Sequence, residues 1–323
     1  MYSFAIAACL CAFVVPSLTV EDNASIVAQL DGEPVFVTEV DRELRAALPD
    51  DAALAQVAAP LRRRAAEQVV ERRLVLKYLI ATKQAASGQD VDFALEQLKK
   101  ELKAQELTLD EYYRRGGWTE AAFRRHLTWT ISWQRYLEAN LNDENLKKYF
   151  GHHRADFDGT QVRVAHLLLK TPASADDSGS ADQALAQANS IRANIVAGKL
   201  TFAEAAKQFS QAPTADRGGE IGFIGRREPM PESFSAAAFK LKPGEISQPV
   251  ISSFGVHLIE CREVKPGTRT WQEAAGDLRP AVTLYLFRWM ADKQRSKTKV
   301  EWMTPLEPAK STAPPAATTS TDQ

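Results

Sequence analysis

The sequence predicts an α+β protein in which a small sheet domain is inserted into a helical lobe built from both ends of the chain. Residues 161–264 hold strand-like apolar runs around a glycine pair, whereas the stretches before and after them repeat apolar residues at helical spacing. Neither flanking stretch carries a complete core of its own, so the two are expected to share one. With 323 residues and 45% hydrophobic content, the chain is long enough for two packed domains. The expected divisions are an export segment at 1–20, a helical domain at 21–158, the sheet domain at 161–264, a returning helix at 268–304 and a disordered tail at 305–323, rich in Pro, Ala, Ser and Thr.

The apolar stretch Phe4 to Val15 has the length of a signal-peptide core and is too short to span a bilayer. No Lys or Arg precedes it, and it is read as cleaved near Ser17 to Val20 or retained as an anchor. Ile6-Ala7-Ala8-Cys9 is similar to a lipobox, with fewer residues ahead of it than such a signal has, and chance accounts for the sequon Asn23-Ala24-Ser25. With the segment removed, Cys261 is the lone cysteine and is expected to act as a small buried apolar residue.

Ile26 to Leu30, Asp31-Gly32 and Pro34 to Val37 predict a hairpin, with a helix from Thr38. Pro60 opens a helix to about Ala86, and Arg62-Arg63-Arg64 and Arg72-Arg73 are expected on its solvated side. A further helix is expected from Phe93 to Ala104, and a short one begins at the capping residue Thr108 and stops at Gly116-Gly117. From Thr119 to Asn140, Phe123, Leu127 and Ile131 recur every fourth residue, joined by Trp129, Trp133 and Leu137. The expected cover for that stripe is the C-terminal helix with Trp271, Leu278, Val282, Tyr285, Leu286 and Trp289, opened by the capping box Thr270 to Glu273 and kinked or restarted at Pro280.

Inside the sheet domain, Val162, Val164, His166 and Leu168 alternate with Arg163, Ala165, Leu167 and Leu169. The run Gly255 to Cys261 likewise sets His257 among small and aliphatic residues. Between them lie expected helices from Asp182 to Ala197 and from the capping box at Thr201 to about Phe209, the pair Gly218-Gly219, a strand from Ile221 to Ile224 and a turn at Lys242 to Glu245. Two imidazoles buried in one sheet can hydrogen-bond each other, and for either alone a satisfied core histidine is the plainer account. No Cys, Asp or Glu lies at ligand spacing near either, so no metal is expected. Arg226-Arg227 reads as a solvated turn more readily than as a phosphate site, and the formal net charge of −1 leaves no footprint for nucleic acid.

Ala-His-Leu-Leu-Leu-Lys, Phe-Ser-Gln, Gly-Gly-Glu-Ile-Gly, Phe234 with Ala238-Phe239, Gly-Glu-Ile-Ser-Gln-Pro-Val and Phe-Gly-Val-His follow in order between Gln161 and Val264. This pattern resembles the parvulin family of peptidyl-prolyl cis-trans isomerases. The resemblance implies a four-stranded antiparallel sheet with surrounding helices, no cofactor, and non-covalent rotation of X-Pro bonds. It assigns His166, His257 and Ser252 to the catalytic set, and Met230, Phe234, Phe239, Ile221 and Ala212 to the substrate pocket. Ala212 departs from the family, which commonly has Cys or Asp there. The loop from Pro172 to Asp182 lacks an arginine cluster for reading phosphate.

Together with the export segment, the hairpin leading into a helical lobe and the returning helix, the layout is similar to the SurA- and PrsA-like folding factors. That resemblance implies a periplasmic or extracytoplasmic chaperone, and the N-terminal segment is the one place where it could associate with a membrane. Its partners would be unfolded or proline-containing polypeptides of exported proteins. The alternative is a holdase whose parvulin domain binds peptides with little turnover.

Overall fold

The computed structural model describes residues 25–48, 53–54, 56–171, 178–227 and 229–303. The expected export segment, the C-terminal tail and most of the Pro172 to Asp182 loop lie outside the described residues. The chain divides into two compact units, Met1–Asn140 with Thr283–Gln323, and Leu141–Val282.

In the first unit, β1 (Ile26–Leu30) and β2 (Glu33–Phe36) form an antiparallel hairpin. Asp31 and Gly32 both take positive φ, 50° and 86°, the conformation that matches a two-residue turn to the strand twist. On the other edge of β1 lies β7 (Val300–Trp302), a strand not anticipated from the sequence. Asp31 secures it: its N–H donates to the Lys299 carbonyl at 2.9 Å, and its carboxylate accepts the Lys299 N–H at 2.8 Å. The first and last strands of the described residues therefore meet in one three-stranded sheet.

Helices α1 (Val37–Arg45) and α2 (Ala59–Ala81) pack beside it. The arginines of α2 are not all on a solvated side, as the sequence suggested. Arg62 and Arg73 are buried. Arg62 pairs with Asp41 at 2.6 Å and donates to the Leu54 carbonyl, while Arg73 pairs with Glu39 at 2.6 Å and donates to the Pro34 carbonyl. Acids spaced along α1 supply the counter-charges that allow these guanidinia to leave water. Arg63 and Arg72 are the partly exposed members, paired with Glu67 and Glu43.

The helix α3 (Gly88–Lys103) starts five residues before the expected Phe93, because Ser87 caps it and Asp90 reaches back to the Ser87 N–H at 2.7 Å. After α4 (Leu109–Gly116), α5 (Glu120–Asn140) carries Trp129 and Trp133 stacked at 5.5 Å. Both meet Phe287 edge-on, and Phe287 belongs to α11 (Ala275–Arg295). The C-terminal helix thus covers the stripe, through Leu286, Phe287, Met290 and Ala291, while the expected Tyr285 and Trp289 are substantially exposed. Pro280 lies inside α11 and does not restart it, since the helix runs unbroken from Ala275 to Arg295. It lies so near the start that the hydrogen bond it forgoes is to the first-turn residue Gly276. Among the described residues no helix is long and apolar enough to cross a membrane.

The second unit contains α6 (Asp143–His152), α7 (Arg154–Phe157), β3 (Gln161–Leu169), α8 (Ser178–Val196), α9 (Phe202–Phe209), β4 (Glu220–Gly225), α10 (Glu232–Ala238), β5 (Val250–Ser252) and β6 (Gly255–Lys265). It begins at Leu141 and ends at Val282, wider than the expected 161–264. Segments flanking the sheet are tied to one another here: Gly267 N–H donates to Thr160 Oγ1 at 3.0 Å, and Arg269 N–H to the Asp158 carbonyl at 2.9 Å. The four strands are antiparallel in the order β4-β3-β6-β5. Ala165, Leu167, Leu169, Val256 and Leu258 face a core shared with α8 and α9. Val162, Val164 and Ile259 face the opposite way, toward Phe234 and Ala238 of α10. The period-2 alternation read from the sequence is the alternation between these two cores.

Candidate active site

His166 and His257 lie on the α10 side of the two central strands, where neighbouring residues pair His166 with Ile259 and Leu168 with His257. Their rings lie 5.7 Å apart and within 20° of parallel. They stack and do not hydrogen-bond each other, contrary to one sequence reading. Phe234 stands edge-on to both, 5.8 Å from His166 and 5.4 Å from His257.

The strand geometry that holds the pair depends on two glycines. The His166 N–H donates to the Gly219 carbonyl at 2.8 Å, and Gly219 has φ +78° with no room for a Cβ against the His166 backbone. Gly255, at φ +130°, starts β6 against the Leu169 carbonyl, two residues before His257. Side chains at either position would clash with backbone and not with a movable side chain. Downstream of Gly219 the pairing of β3 with β4 slips by one residue at Ile221, a bulge that lets Ile221 join Ile224 on the α10 side.

Each imidazole has a hydroxyl partner. His166 Nε2 lies 3.1 Å from Thr214 Oγ1, and His257 Nε2 lies 2.7 Å from Ser252 Oγ. Ser252 Oγ also accepts the Phe254 N–H at 3.0 Å. The Nδ1 atoms of both rings are buried and without a partner. Protons on Nε2, donated to the two hydroxyls, leave no buried ring N–H without an acceptor and put a bare nitrogen on the inner side of each ring. Burial pushes both imidazoles toward the neutral form, and His257, which also feels His166, is brought down to about 4. The site at neutral pH is therefore an uncharged one.

Of the expected pocket residues, Phe234 is fully buried and Met230, Phe239 and Ile221 are half-buried in the same apolar cluster. Phe234 backs that cluster, and the accessible apolar surface belongs to its half-buried neighbours. Ala212 stands apart from it in the loop after α9. It is buried, its N–H donates to Ser210 Oγ at 3.2 Å, and that same oxygen accepts the Leu168 N–H at 3.1 Å. The Gln211 N–H adds a bond to the Leu168 carbonyl at 2.8 Å. This loop is thus fastened to β3 two residues beyond His166, and it presents Thr214 to the ring. Thr214 was missed in the sequence; its one signal is a hydroxyl two residues past the position where the family pattern calls for a polar group.

Arg226 and Arg227 lie in a bend after β4, where Arg227 is exposed as a solvated turn implies and Arg226 is largely buried. Arg226 makes a two-pronged contact with Glu232 and a third bond to Asp156, and Arg227 lies 4.7 Å over the Phe157 ring and pairs with Asp277 at 3.6 Å. A groove of about 410 Å³ lies beside α10, lined by Ser233, Ala237, Lys240 and Val250 among others, and neither histidine lines it. Cys261 is buried in β6, which pushes its thiol upward and away from reactivity.

A family model described as Rotamase, PPIC-type PPIase domain, matches residues 166–263. The chain is 43% identical over 101 residues to the chaperone SurA of Cupriavidus pinatubonensis, a match covering 31% of this chain and 19% of that protein. It is 42% identical over 104 residues to the chaperone SurA of Bordetella avium, covering 32% and 20%. The matched segment spans about a fifth of the length of these relatives. Among solved structures, that of a peptidylprolyl isomerase (PrsA) from Bacillus anthracis is 21% identical with a TM-score of 0.35, covering 71% of this chain and 95% of that one, a likeness too low to carry a functional argument.

Proposed function

We propose, for a chain whose residues 166–263 match the PPIC-type PPIase domain, that it catalyses cis-trans isomerisation of X-Pro bonds in polypeptides held by its helical lobe. The observation that carries the reading is the placing of two buried, neutral histidines edge-on to Phe234, beside the half-buried Met230 and Ile221.

Rotation about an X-Pro amide breaks its resonance against a barrier of about 18–20 kcal/mol, so a site needs only to favour the twisted amide over the planar one. An apolar wall of Met230, Ile221 and Phe239 suits the pyrrolidine ring, and Phe234 stiffens that wall from behind. Burial keeps the imidazoles uncharged and the local dielectric low, which strengthens every hydrogen bond offered to the twisting carbonyl. Ser252, half-buried with its O–H free when it accepts from His257 and Phe254, is a donor at the edge of the site. No covalent step and no cofactor enter this scheme.

The relatives named chaperone SurA support a polypeptide-binding role, and the aromatic surface of the helical lobe, with Tyr285 and Trp289 substantially exposed, suits unfolded chains. The clients would be exported proteins, in the periplasm or another extracytoplasmic space. A second reading is favoured by one feature: Ala212 is buried and apolar, so position 212 of the loop beside His166 offers the amide no polar side chain. On that reading the domain binds proline peptides and the protein acts as a holdase. Isomerisation of an X-Pro peptide, followed by NMR exchange alongside suppression of aggregation by the same sample, tests both. Turnover above the uncatalysed rate supports the isomerase; aggregation suppression without turnover supports the holdase.

A further inference from the structure

We propose that Arg226 is a positioning residue for the proline pocket, holding the segment that carries Met230 and the start of α10 against the two histidines. This rests on the isomerase reading above. Arg226 follows β4 directly. Its Nη1 and Nη2 donate to the two oxygens of Glu232, each at 2.7 Å, and its Nε donates to Asp156 Oδ1 at 2.9 Å. One planar fork therefore joins three segments: α7 ahead of β3, the end of β4, and the first turn of α10.

The location gives this fork its consequence. Met230 lies between the two members of the bidentate pair, and Phe234 is two residues beyond Glu232 on the same short helix. A bidentate contact fixes orientation as well as distance, which a lysine ammonium does not. The Arg226 side chain is 17% exposed and that of Glu232 is 75% exposed. With the Glu232 end largely in water, removal of the pair should cost the fold little while loosening the pocket wall. Arg227 has a separate role, spent on Phe157 and Asp277, and does not share the clamp.

The test uses the full chain with Arg226→Gln, Glu232→Gln, both together, and Arg226→Lys. The readouts are the Met230 ε-methyl NMR signal, KM and kcat on an X-Pro peptide, and thermal melting. Each single variant should shift the Met230 methyl and raise KM roughly tenfold with a smaller change in kcat, as a displaced binding wall does. The double variant should be no worse than either single one, and Arg226→Lys should resemble Arg226→Gln. A folded Arg226→Gln protein with an unmoved methyl signal and unchanged KM overturns the proposal, as does full retention by Arg226→Lys. If Arg226→Gln does not fold, Glu232→Gln at its exposed end decides by the same readouts. Absence of turnover in the unmodified protein would instead sink the isomerase reading, and the methyl signal would still decide the clamp.

Discussion

Ser252 and His257 face each other across the β5–β6 turn with 2.7 Å between Oγ and Nε2, and the same oxygen accepts the Phe254 N–H that closes the turn. A single hydroxyl thus organises both the turn and the ring. Because His257 is brought down to about 4, it stays neutral in the fold at pH values where an unfolded histidine, at about 6.5, takes up a proton. The unfolded chain then binds more protons, so stability falls as pH drops from about 6.5 toward 4, by at most about 1.4 kcal/mol per pH unit from this group. Denaturant titrations across that window should show the slope, and His257→Gln should flatten it. An unchanged slope in the folded variant would remove His257 as its origin. Ring ¹⁵N shifts should report the Nε2–H form of both histidines at neutral pH.

Phe234 and Met230 should separate stability from binding. Phe234 has no exposed surface, so Phe234→Ala should cost roughly 3–5 kcal/mol as a core truncation, with activity lost along with the fold. Met230 is half-buried, and Met230→Ala should cost less stability while raising KM for a proline peptide. Chemical denaturation beside peptide titration measures both. Met230→Ala with unaltered KM would take Met230 out of the pocket wall.

Asp41 and Arg62 form a buried ion pair, with side chains 8% and 4% exposed. Asp41→Ala leaves the guanidinium uncompensated and should cost roughly 3–5 kcal/mol, whereas Asp41→Leu with Arg62→Met should come close to the unaltered protein. Urea midpoints of the single and double variants test this. Equal losses in both would mean that the apolar pair does not fit the site.

What the sequence made legible was what local rules govern. Capping boxes at Thr108 and Thr201 marked helix starts because the hydroxyl and the carboxylate lie three residues apart in the chain as in space. The histidines were found because each interrupts an apolar alternation, and the four-stranded antiparallel sheet followed from the family resemblance. Arg62 and Arg73 were misplaced for the opposite reason: an arginine run is solvated unless acids elsewhere answer it, and Asp41 and Glu39 are more than twenty residues away. The strand β7 is three residues long, too short for a period, and is defined by its pairing to β1. Thr214 reaches His166 across 48 residues from a loop, where no periodicity marks a side chain's direction.

Ala212 gives the sharpest test of how far the domain is built for turnover. The loop around it is fastened to β3 at Leu168 by Ser210 and Gln211, so a new side chain at 212 would be held in place and not swing free. An amide in mid-rotation gains from a polar partner, and Ala212→Asp supplies one in the loop that carries Thr214 to His166. One preorganised group is typically worth about 10²–10³ where a full oxyanion forms; amide rotation develops much less charge, so the gain in kcat/KM should be several-fold at most. Burial of the new carboxylate should cost some stability, which thermal melting will show. Suppression of client aggregation should not change. A faster variant would mean that the natural site has traded turnover for binding. A natural protein that is already fast, and is slowed by the substitution, would show that an apolar residue at 212 is no deficit and would remove the main support for the holdase reading.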